Sequence, residues 1–319
     1  MEALPQVIRY LRSRGDEMVT VGTLLGMGPA ETMPYVSAEK TSLAWLSHFV
    51  FWLWRMFERS LGTLLILTTS LLALRMGMVW WGSRRLISQA ELKTPQGVSV
   101  ILPAYNEARV LQDTLRCLGL SQYPGPIEFI VVDDGSSDRT LNLAEQWAKT
   151  DSRFVALHQT NQGKAAALNR GLSASRYPWV VTLDADTRFA ESTLASLVAP
   201  LEDSQVGAVS GRVRVGNRDE FLPSLQELEY SAGYHLDRMA YARWNCITVV
   251  PGAISAFRKT VLEAQGGFSE DTMAEDADLT LALHRNGWRI AYAPEAVART
   301  EAPSHPGALL RQRRRWTYG

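Results

Sequence analysis

The chain has 319 residues, of which 46% are hydrophobic and 21% charged, a composition that suits one large folded core or two smaller ones. Its 33 basic residues balance 33 acidic residues, so no overall charge favours nucleic acid as a partner. The two cysteines, Cys117 and Cys246, stand far apart, in a pattern typical of neither a metal site nor a disulfide framework.

Residues 1–40 form a small segment of their own. Val7, Ile8 and Leu11 recur at helical spacing, and Met18–Leu25 predicts a short strand and turn. The stretch L-P-Q-V-I-R-Y-L-R-S-R-G-D-E-M-V-T-V-G-T-L-L resembles the closing helix and strand of NodB-type polysaccharide deacetylases, without a catalytic motif. This resemblance implies that residues 1–40 are the remnant of a deacetylase domain. It also implies a polysaccharide deacetylase that is fused to the chain or associated with it. A loosely ordered tail is the alternative.

Residues 42–85 are the candidate membrane region. Leu61–Leu74 has no charge, and Arg75 interrupts the apolar sequence before Trp80 and Trp81. A crossing needs about 20 apolar residues, so this segment spans a membrane only if the arginine snorkels or faces protein. A buried hairpin of a soluble protein is the alternative.

The flanks of this segment predict its orientation. The earlier run Leu43–Phe57 is rich in tryptophan but lies next to charges, which favours an interfacial helix. Arg84 and Arg85 follow the apolar segment as a positive flank, typical of the cytoplasmic side. We therefore expect one crossing of the inner (plasma) membrane, with residues 1–40 outside and the rest of the chain cytoplasmic.

From residue 96 onward, apolar runs alternate with amphipathic ones. Predicted strands are Val98–Leu102, Ile127–Val132, Phe154–His158, Trp179–Leu183, Val206–Val215 and Trp288–Tyr292. Predicted helices are Val110–Leu118, Leu141–Ala148, Lys164–Ser173, Glu191–Leu201, Leu222–Ala242 and Ala277–Asn286. Repeated β-α units predict an α/β fold with a mostly parallel sheet flanked by helices.

The strand Trp179–Leu183 ends in two acids, Asp184 and Asp186. Because side chains alternate along an extended backbone, these two carboxylates point the same way, at the edge of the sheet where ligands bind. Paired carboxylates repel each other unless a cation intervenes, and oxygen ligands suit Mg²⁺ or Mn²⁺. A solvated Asp-x-Asp turn is the alternative.

A second strand ends in Asp133 and Asp134, followed by Gly135 and two serines. The glycine permits a tight turn, and the serines suit the cap of the next helix. An acid pair at this place is also typical of phosphoacceptor regulator domains. Two further acidic motifs and the membrane segment do not fit that class.

The motifs of residues 96–319, taken in order, resemble glycosyltransferase family 2 of the GT-A fold. They are most similar to membrane-bound processive synthases of poly-N-acetylglucosamine, hyaluronan, chitin and cellulose. The motifs are V-I-L-P-A-Y-N-E at 100–107, V-V-D-D-G-S-S-D at 131–138, N-Q-G-K-A-A-A-L-N at 161–169, L-D-A-D at 183–186, M-A-E-D-A-D-L at 273–279 and Q-R-R-R-W at 312–316.

The resemblance implies a role for each motif. The nucleotide would contact Tyr105, Glu107, Asp133 and Asp134. The sugar diphosphate would contact Lys164, Asp184, Glu275, Gln312 and Arg315. The metal would be held by Asp184 and Asp186. Asp276 would be the general base and Trp316 a platform for a sugar ring. Pro251-Gly252 and Arg243-Trp244 resemble the acceptor-side loop.

The predicted function is that of an inverting, metal-dependent glycosyltransferase. It would extend a β-linked polysaccharide acceptor at the membrane from a UDP-sugar, with UDP-N-acetylglucosamine implied by the resemblance alone. One alternative is a non-processive transferase to a lipid or protein, although Q-R-R-R-W is typical of processive enzymes. Another is an inactive truncated membrane component, since the chain stops three residues after Trp316 whereas the synthases continue into membrane helices. The basic run 311–315, taken alone, also suits a membrane-surface patch.

Overall fold

A computed structural model describes residues 3–33, 38–84, 92–272 and 274–318. Arg85 of the predicted positive flank and Met273 of M-A-E-D-A-D-L lie outside these ranges. The chain divides into two compact units, Met1–Ala73 and Leu74–Gly319, and each is described by itself.

The first unit is helical. Its helices are α1 (Ala3–Ser13), α2 (Val21–Leu24), α3 (Pro29–Thr32) and the larger part of α4 (Ala38–Arg84). The prediction of a strand over Met18–Leu25 is wrong. Thr20 instead caps α2, with its Oγ1 accepting a hydrogen bond from the Thr23 N–H at 3.3 Å. Within the described part of the first unit, this short β-branched run has no neighbouring strand to pair with, so the cap determines the local structure.

Helix α4 is continuous over 47 residues, a length of about 70 Å. The predicted interfacial and spanning segments thus form one helix, since the segment Ala38–Arg84 contains no proline to break it. Thr41–Arg84 is long and apolar enough to cross a membrane, by length and composition. The last part of the helix belongs to the second unit, where Arg75 pairs with Asp237.

The second unit contains an eight-stranded sheet in the order β3-β2-β1-β4-β7-β6-β8-β5. The strands are β1 (Val98–Ala104), β2 (Ile127–Asp134), β3 (Phe154–Gln159), β4 (Trp179–Leu183), β5 (Arg188–Phe189), β6 (Val206–Val215), β7 (Ile254–Arg258) and β8 (Arg289–Thr300). Strands β1 to β4 are mutually parallel, whereas β7 runs antiparallel to both β4 and β6. The predicted α/β fold with a mostly parallel sheet is confirmed.

Helices cover both faces of the sheet. They are α5 (Leu111–Gly119), α6 (Thr140–Thr150), α7 (Lys164–Ala174), α8 (Thr193–Val198), α9 (Phe221–Ser231), α10 (Arg238–Arg243), α11 (Lys259–Ala264), α12 (Glu275–Arg285) and α13 (Pro306–Tyr318). The central strands are buried on both faces, as their unbroken apolar sequences predict. Helix α7 lies so close to β1 that a Cβ on Gly171 would stand 2.3 Å from Ile101 Cγ2.

The single helix predicted over Leu222–Ala242 is interrupted. A π-helix, Ala232–Asp237, joins α9 to α10. The Tyr292 hydroxyl of β8 donates a hydrogen bond to the carbonyl of Tyr234 at 3.2 Å, and so binds a carbonyl inside the widened turn. Single π turns are frequent at functional sites, and this one borders the cavity described next.

Candidate active site

A cavity of about 1120 Å³ opens in the second unit where β1, β2 and β4 end. This volume is at the upper end for small-molecule sites, and the carboxyl edge of parallel strands is where α/β folds bind ligands. Every predicted site residue except Asp133 lines it: Tyr105, Glu107, Asp134, Lys164, Asp184, Asp186, Glu275, Asp276, Gln312, Arg315 and Trp316.

Lys164, the first residue of α7, connects two of the acidic motifs. Its Nζ lies 2.6 Å from Asp184 Oδ1 and 3.6 Å from Glu275 Oε1. Burial lowers the pKa of Lys164, but the two carboxylates outweigh burial and leave that pKa raised. The side chain is therefore a fixed positive charge beside Asp184.

Among the described residues, no such cation pairs with Asp186 or Glu107. Burial, followed by the charge of Asp184, raises the pKa of Asp186 to about 6. A hydrogen bond donated by Thr300 Oγ1, at 3.2 Å, opposes this shift. Burial and the charges of Asp186 and Asp184 also raise the pKa of Glu107. This corner of the cavity therefore holds uncompensated negative charge.

Asp184 and Asp186 have the donor chemistry of a divalent-cation site. Within the described ranges, no group of three or more His, Cys, Asp or Glu side chains is placed to hold a metal ion. Magnesium commonly takes only one or two protein carboxylates, and phosphate and water oxygens complete its octahedron. Asp186, whose charge is uncompensated, and Asp184 beside it fit such a site.

Asp134 positions the loop that precedes α7. Its Oδ1 accepts hydrogen bonds from Gln159 Nε2 at 2.8 Å and from the Gln162 N–H at 2.9 Å. Its Oδ2 accepts one from the Gly163 N–H at 2.9 Å. The carboxylate thus holds the backbone directly before Lys164.

Asp133 lies apart from the other predicted residues, fully buried and outside the cavity lining. Its Oδ2 accepts a hydrogen bond from the Ser136 N–H at 3.3 Å and shares one with His158 Nδ1 at 2.7 Å. The tight turn predicted at Gly135 is confirmed. The glycine has φ +73°, and a Cβ there would stand 2.6 Å from the Asn161 nitrogen.

The prediction that the serines after β2 cap the next helix is wrong. Ser136 Oγ accepts a hydrogen bond from the Asn106 N–H at 2.9 Å and so joins the loops after β1 and β2. Asp138 instead binds the Thr140 N–H at 2.9 Å, at the start of α6. Thr140 Oγ1 in turn accepts from the Glu107 N–H at 2.9 Å, which places the glutamate at the cavity.

Helix α12 begins with the third acidic motif. It starts at Glu275, two residues before the predicted Ala277, so both Glu275 and Asp276 lie in its first turn. The Asp276 carboxylate accepts a hydrogen bond from the Ala277 N–H at 2.8 Å. The partial positive charge of a helix N-terminus favours ionised carboxylates at these positions.

The Q-R-R-R-W motif lies on α13. Gln312, Arg315 and Trp316 are spaced i, i+3 and i+4, so a helix places them on one face, here the face toward the cavity. Gln226 Nε2 of α9 donates a hydrogen bond to Gln312 Oε1 at 3.0 Å.

A second contact joins α13 to α9. Arg313 pairs with Glu229 through both terminal guanidinium nitrogens, with Nη1 at 2.7 Å from Oε1. The Arg313 guanidinium carbon also lies 5.1 Å from the centre of the Trp316 ring. The pair therefore connects α9 to the aromatic residue of the motif.

The motifs did not include several cavity residues, among them Tyr230, Tyr234 and Arg238. Their spacing of four residues places them along one face of the α9–α10 segment. Arg238 is only 4% exposed and donates a hydrogen bond to Ser210 Oγ at 2.7 Å. Two tyrosines and an arginine at this spacing could have indicated a cavity face, but the predicted helix Leu222–Ala242 was interpreted only as amphipathic.

The two parts of the predicted acceptor-side loop separate. Pro251 and Gly252 line the cavity, and a Cβ on Gly252 would stand 2.7 Å from Lys164 Nζ. Trp244 instead stacks on Trp81, with ring centres 6.1 Å apart.

An acid pair after a central parallel strand, a lysine beside it and a second acid pair at the start of a helix define a nucleotide-sugar-binding domain of the GT-A class. The model of the glycosyltransferase-like family 2 matches residues 95–319. The chain belongs to this family.

Relatives with curated descriptions agree. A poly-β-1,6-N-acetyl-D-glucosamine synthase of Staphylococcus epidermidis is 32% identical over 239 residues, which cover 74% of this chain and 58% of that protein. The corresponding synthase of Staphylococcus aureus (strain COL) is 30% identical over 225 residues, or 70% of this chain and 54% of that protein. The chain thus spans little more than half the length of these synthases.

A solved structure supports the fold. A mannosyltransferase of Pyrobaculum calidifontis, in complex with GDP-Man and Mn²⁺, superposes with a TM-score of 0.61 and 28% sequence identity. The match covers 77% of this chain and 71% of that one.

Proposed function

We propose that this chain is an inverting glycosyltransferase that extends a β-linked polysaccharide at a membrane, with UDP-N-acetylglucosamine as the donor. The observation that supports this most is the convergence of Lys164–Asp184, Asp276 and the Q-R-R-R-W face on one cavity. The descriptions of the related synthases support the choice of sugar.

The nucleotide would lie along the ends of β1 and β2. Tyr105 and Glu107 line that side of the cavity, and Asp134 holds the loop beneath it. Asp133 would act on the nucleotide after a shift of His158, because it has no direct opening to the cavity in this structure.

The diphosphate would lie between the ends of β4 and α13. Lys164, Gln312 and Arg315 supply donors for the negative charge that develops on the leaving group. Asp184 and Asp186 would hold Mg²⁺ or Mn²⁺, which supplies further charge neutralisation when bound.

Attack on the sugar would be a single displacement. The acceptor hydroxyl oxygen forms a bond to the anomeric carbon, and the bond from that carbon to the diphosphate oxygen breaks as UDP leaves. Asp276 accepts the proton of the hydroxyl, and neighbouring Glu275 helps to hold Lys164. Direct displacement inverts the anomeric centre, so an α-linked donor gives a β-linked product.

The polymer and the membrane extend this proposal. Trp316, 41% exposed in the cavity wall, offers an apolar face on which a sugar ring can stack. Helix α4 would cross the inner membrane once, with the transferase domain cytoplasmic and residues 1–40 outside as a deacetylase remnant.

The test is transfer from labelled UDP-sugars by membranes that contain the protein, with and without Mg²⁺ or Mn²⁺. We expect polymer from UDP-N-acetylglucosamine only when metal is present. Asp276→Asn removes the proton acceptor and keeps the shape, so its turnover should fall by about 100-fold or more while UDP still binds.

Asp219→Asn is the matched control, because Asp219 is exposed and does not line the cavity. Full activity of Asp276→Asn would remove the assignment of the base. Transfer of a single sugar to lipid, without polymer, would contradict the processive reaction.

A further inference from the structure

Arg238 is a buried cation that forms no ion pair with any residue the structure describes. Its side chain is 4% exposed and lines the cavity, and no described carboxylate lies within ion-pairing distance of it. Its one hydrogen bond among the described residues is to Ser210 Oγ, and the Tyr234 ring lies 4.6 Å from its guanidinium carbon. Neither partner is charged.

Such an arrangement is costly for folding. Burial lowers the pKa of Arg238 to about 10, so the group stays charged at neutral pH without a compensating anion. A guanidinium has five N–H donors, and the hydrogen bond to Ser210 uses one of them. The remaining donors belong to a side chain in the cavity wall, where a ligand can reach them.

The surroundings of Arg238 indicate which part of a substrate it meets. Arg238 and Asp276 line the same cavity, and Asp276 is a carboxylate whose charge raises the Arg238 pKa. Arg238 therefore lies near the proposed base in the wall of the same cavity. Lys164 already supplies a cation beside Asp184.

We propose that Arg238 is an acceptor-binding residue. Its free N–H groups would donate hydrogen bonds to hydroxyl or amide carbonyl oxygens of the terminal acceptor sugar, with the attacking hydroxyl toward Asp276. A neutral sugar offers oxygen acceptors at several positions, and a planar fork of donors can bind two of them at once. This inference rests on the proposed function and adds the residue that recognises the acceptor.

The test separates acceptor binding from donor binding in the full-length protein. Arg238→Gln and Arg238→Lys are compared with wild type for the acceptor KM, with a β-1,6-linked N-acetylglucosamine oligosaccharide as the probe. Affinity for UDP is measured by calorimetry. We expect the acceptor KM to rise about tenfold or more in Arg238→Gln, and less in Arg238→Lys, because charged hydrogen bonds are lost. The affinity for UDP should change by less than about twofold, within the scatter of surface substitutions.

Ser210→Ala is the matched control, because it removes the buried partner of Arg238 and keeps the charge; its acceptor KM should stay within about threefold of wild type. If Arg238→Gln does not fold, Arg238→Lys decides the question by the same comparison. An unchanged acceptor KM, or a loss of UDP affinity equal to the rise in acceptor KM, would overturn the proposal. A wild-type protein that transfers no sugar would remove the proposed function itself, which is a separate result.

Discussion

The two sides of the cavity are built in different ways. The strand-end floor consists of Asp134, which ends β2, and of Asp184 and Asp186, which lie just after the end of β4. The helical wall consists of the cavity-lining residues of two segments, Tyr230, Tyr234 and Arg238 on α9–α10 and Gln312, Arg315 and Trp316 on α13.

The floor is held by backbone and the wall by side chains. Asp134 accepts two backbone N–H groups, whereas α13 is joined to α9 by the Gln226–Gln312 and Glu229–Arg313 contacts. The floor also concentrates negative charge, and the wall supplies cations and rings. We therefore expect changes in the floor to abolish chemistry, and changes in the wall to alter affinity in smaller steps.

The largest expected effect is that of Asp186→Asn in the floor. Without one of the two proposed metal ligands, transfer should fall by about 100-fold or more. The same change should stabilise the protein in EDTA, because burial and the charge of Asp184 make the ionised Asp186 carboxylate destabilising in the folded state. Equilibrium unfolding in denaturant, together with the transfer assay, measures both effects.

The sign of the stability effect follows from the pKa. The pKa of Asp186 is raised to about 6 in the folded protein, so the folded state binds the extra proton between about pH 4 and 6. Its contribution to the free energy of unfolding falls as pH rises through this window. At pH 7.5, Asp186→Asn should raise the free energy of unfolding by up to about 3 kcal/mol, and below about pH 4 it should leave that free energy unchanged. A destabilised variant at pH 7.5 would contradict this account of the floor.

The floor could be predicted from the sequence because its determinants are local. An apolar run that ends in acids defines both the strand Trp179–Leu183 and the position of Asp184 and Asp186. The turn at Gly135 follows from one residue type in the same way. Each of these features needs only a few consecutive residues.

The wall could be predicted only in part because it depends on distant contacts. The motif spacing of Gln312 and Trp316 predicted a shared role, but not the helix α13 or its contacts with α9. Arg238 was missed because its place in the cavity wall depends on the π-helix. There the Tyr234 carbonyl accepts a hydrogen bond from Tyr292, a residue 58 positions away. No local pattern in Leu222–Ala242 encodes that contact.

A smaller effect is expected for Gly252→Ala at the edge of the floor. The new Cβ would stand 2.7 Å from Lys164 Nζ and 3.9 Å from Asp184 Oδ1. The flexible end of the lysine can move, so the fold should survive while the contact with Asp184 is lost. We expect the KM for the UDP-sugar to rise roughly tenfold, the value of a charged hydrogen bond, in steady-state assays.

Gly233→Ala is the matching change in the wall. A Cβ there meets no heavy atom within 4 Å, so the KM for the UDP-sugar should change by less than about twofold. Equal effects of the two substitutions would contradict the assignment of Lys164 to the donor.

A smaller effect than that of Gly252→Ala is expected for the pair Glu229–Arg313, which is partly exposed and so contributes at most about 1 kcal/mol. Glu229→Gln removes the ion pair alone, and kcat/KM should fall about twofold as α13 loosens. Arg313→Gln also removes the cation over Trp316, so its loss should reach about fivefold. The double variant should match Arg313→Gln, because the pair is already broken in that single variant. Independent, multiplying losses in this cycle would show that Glu229 acts on the wall through some contact other than Arg313.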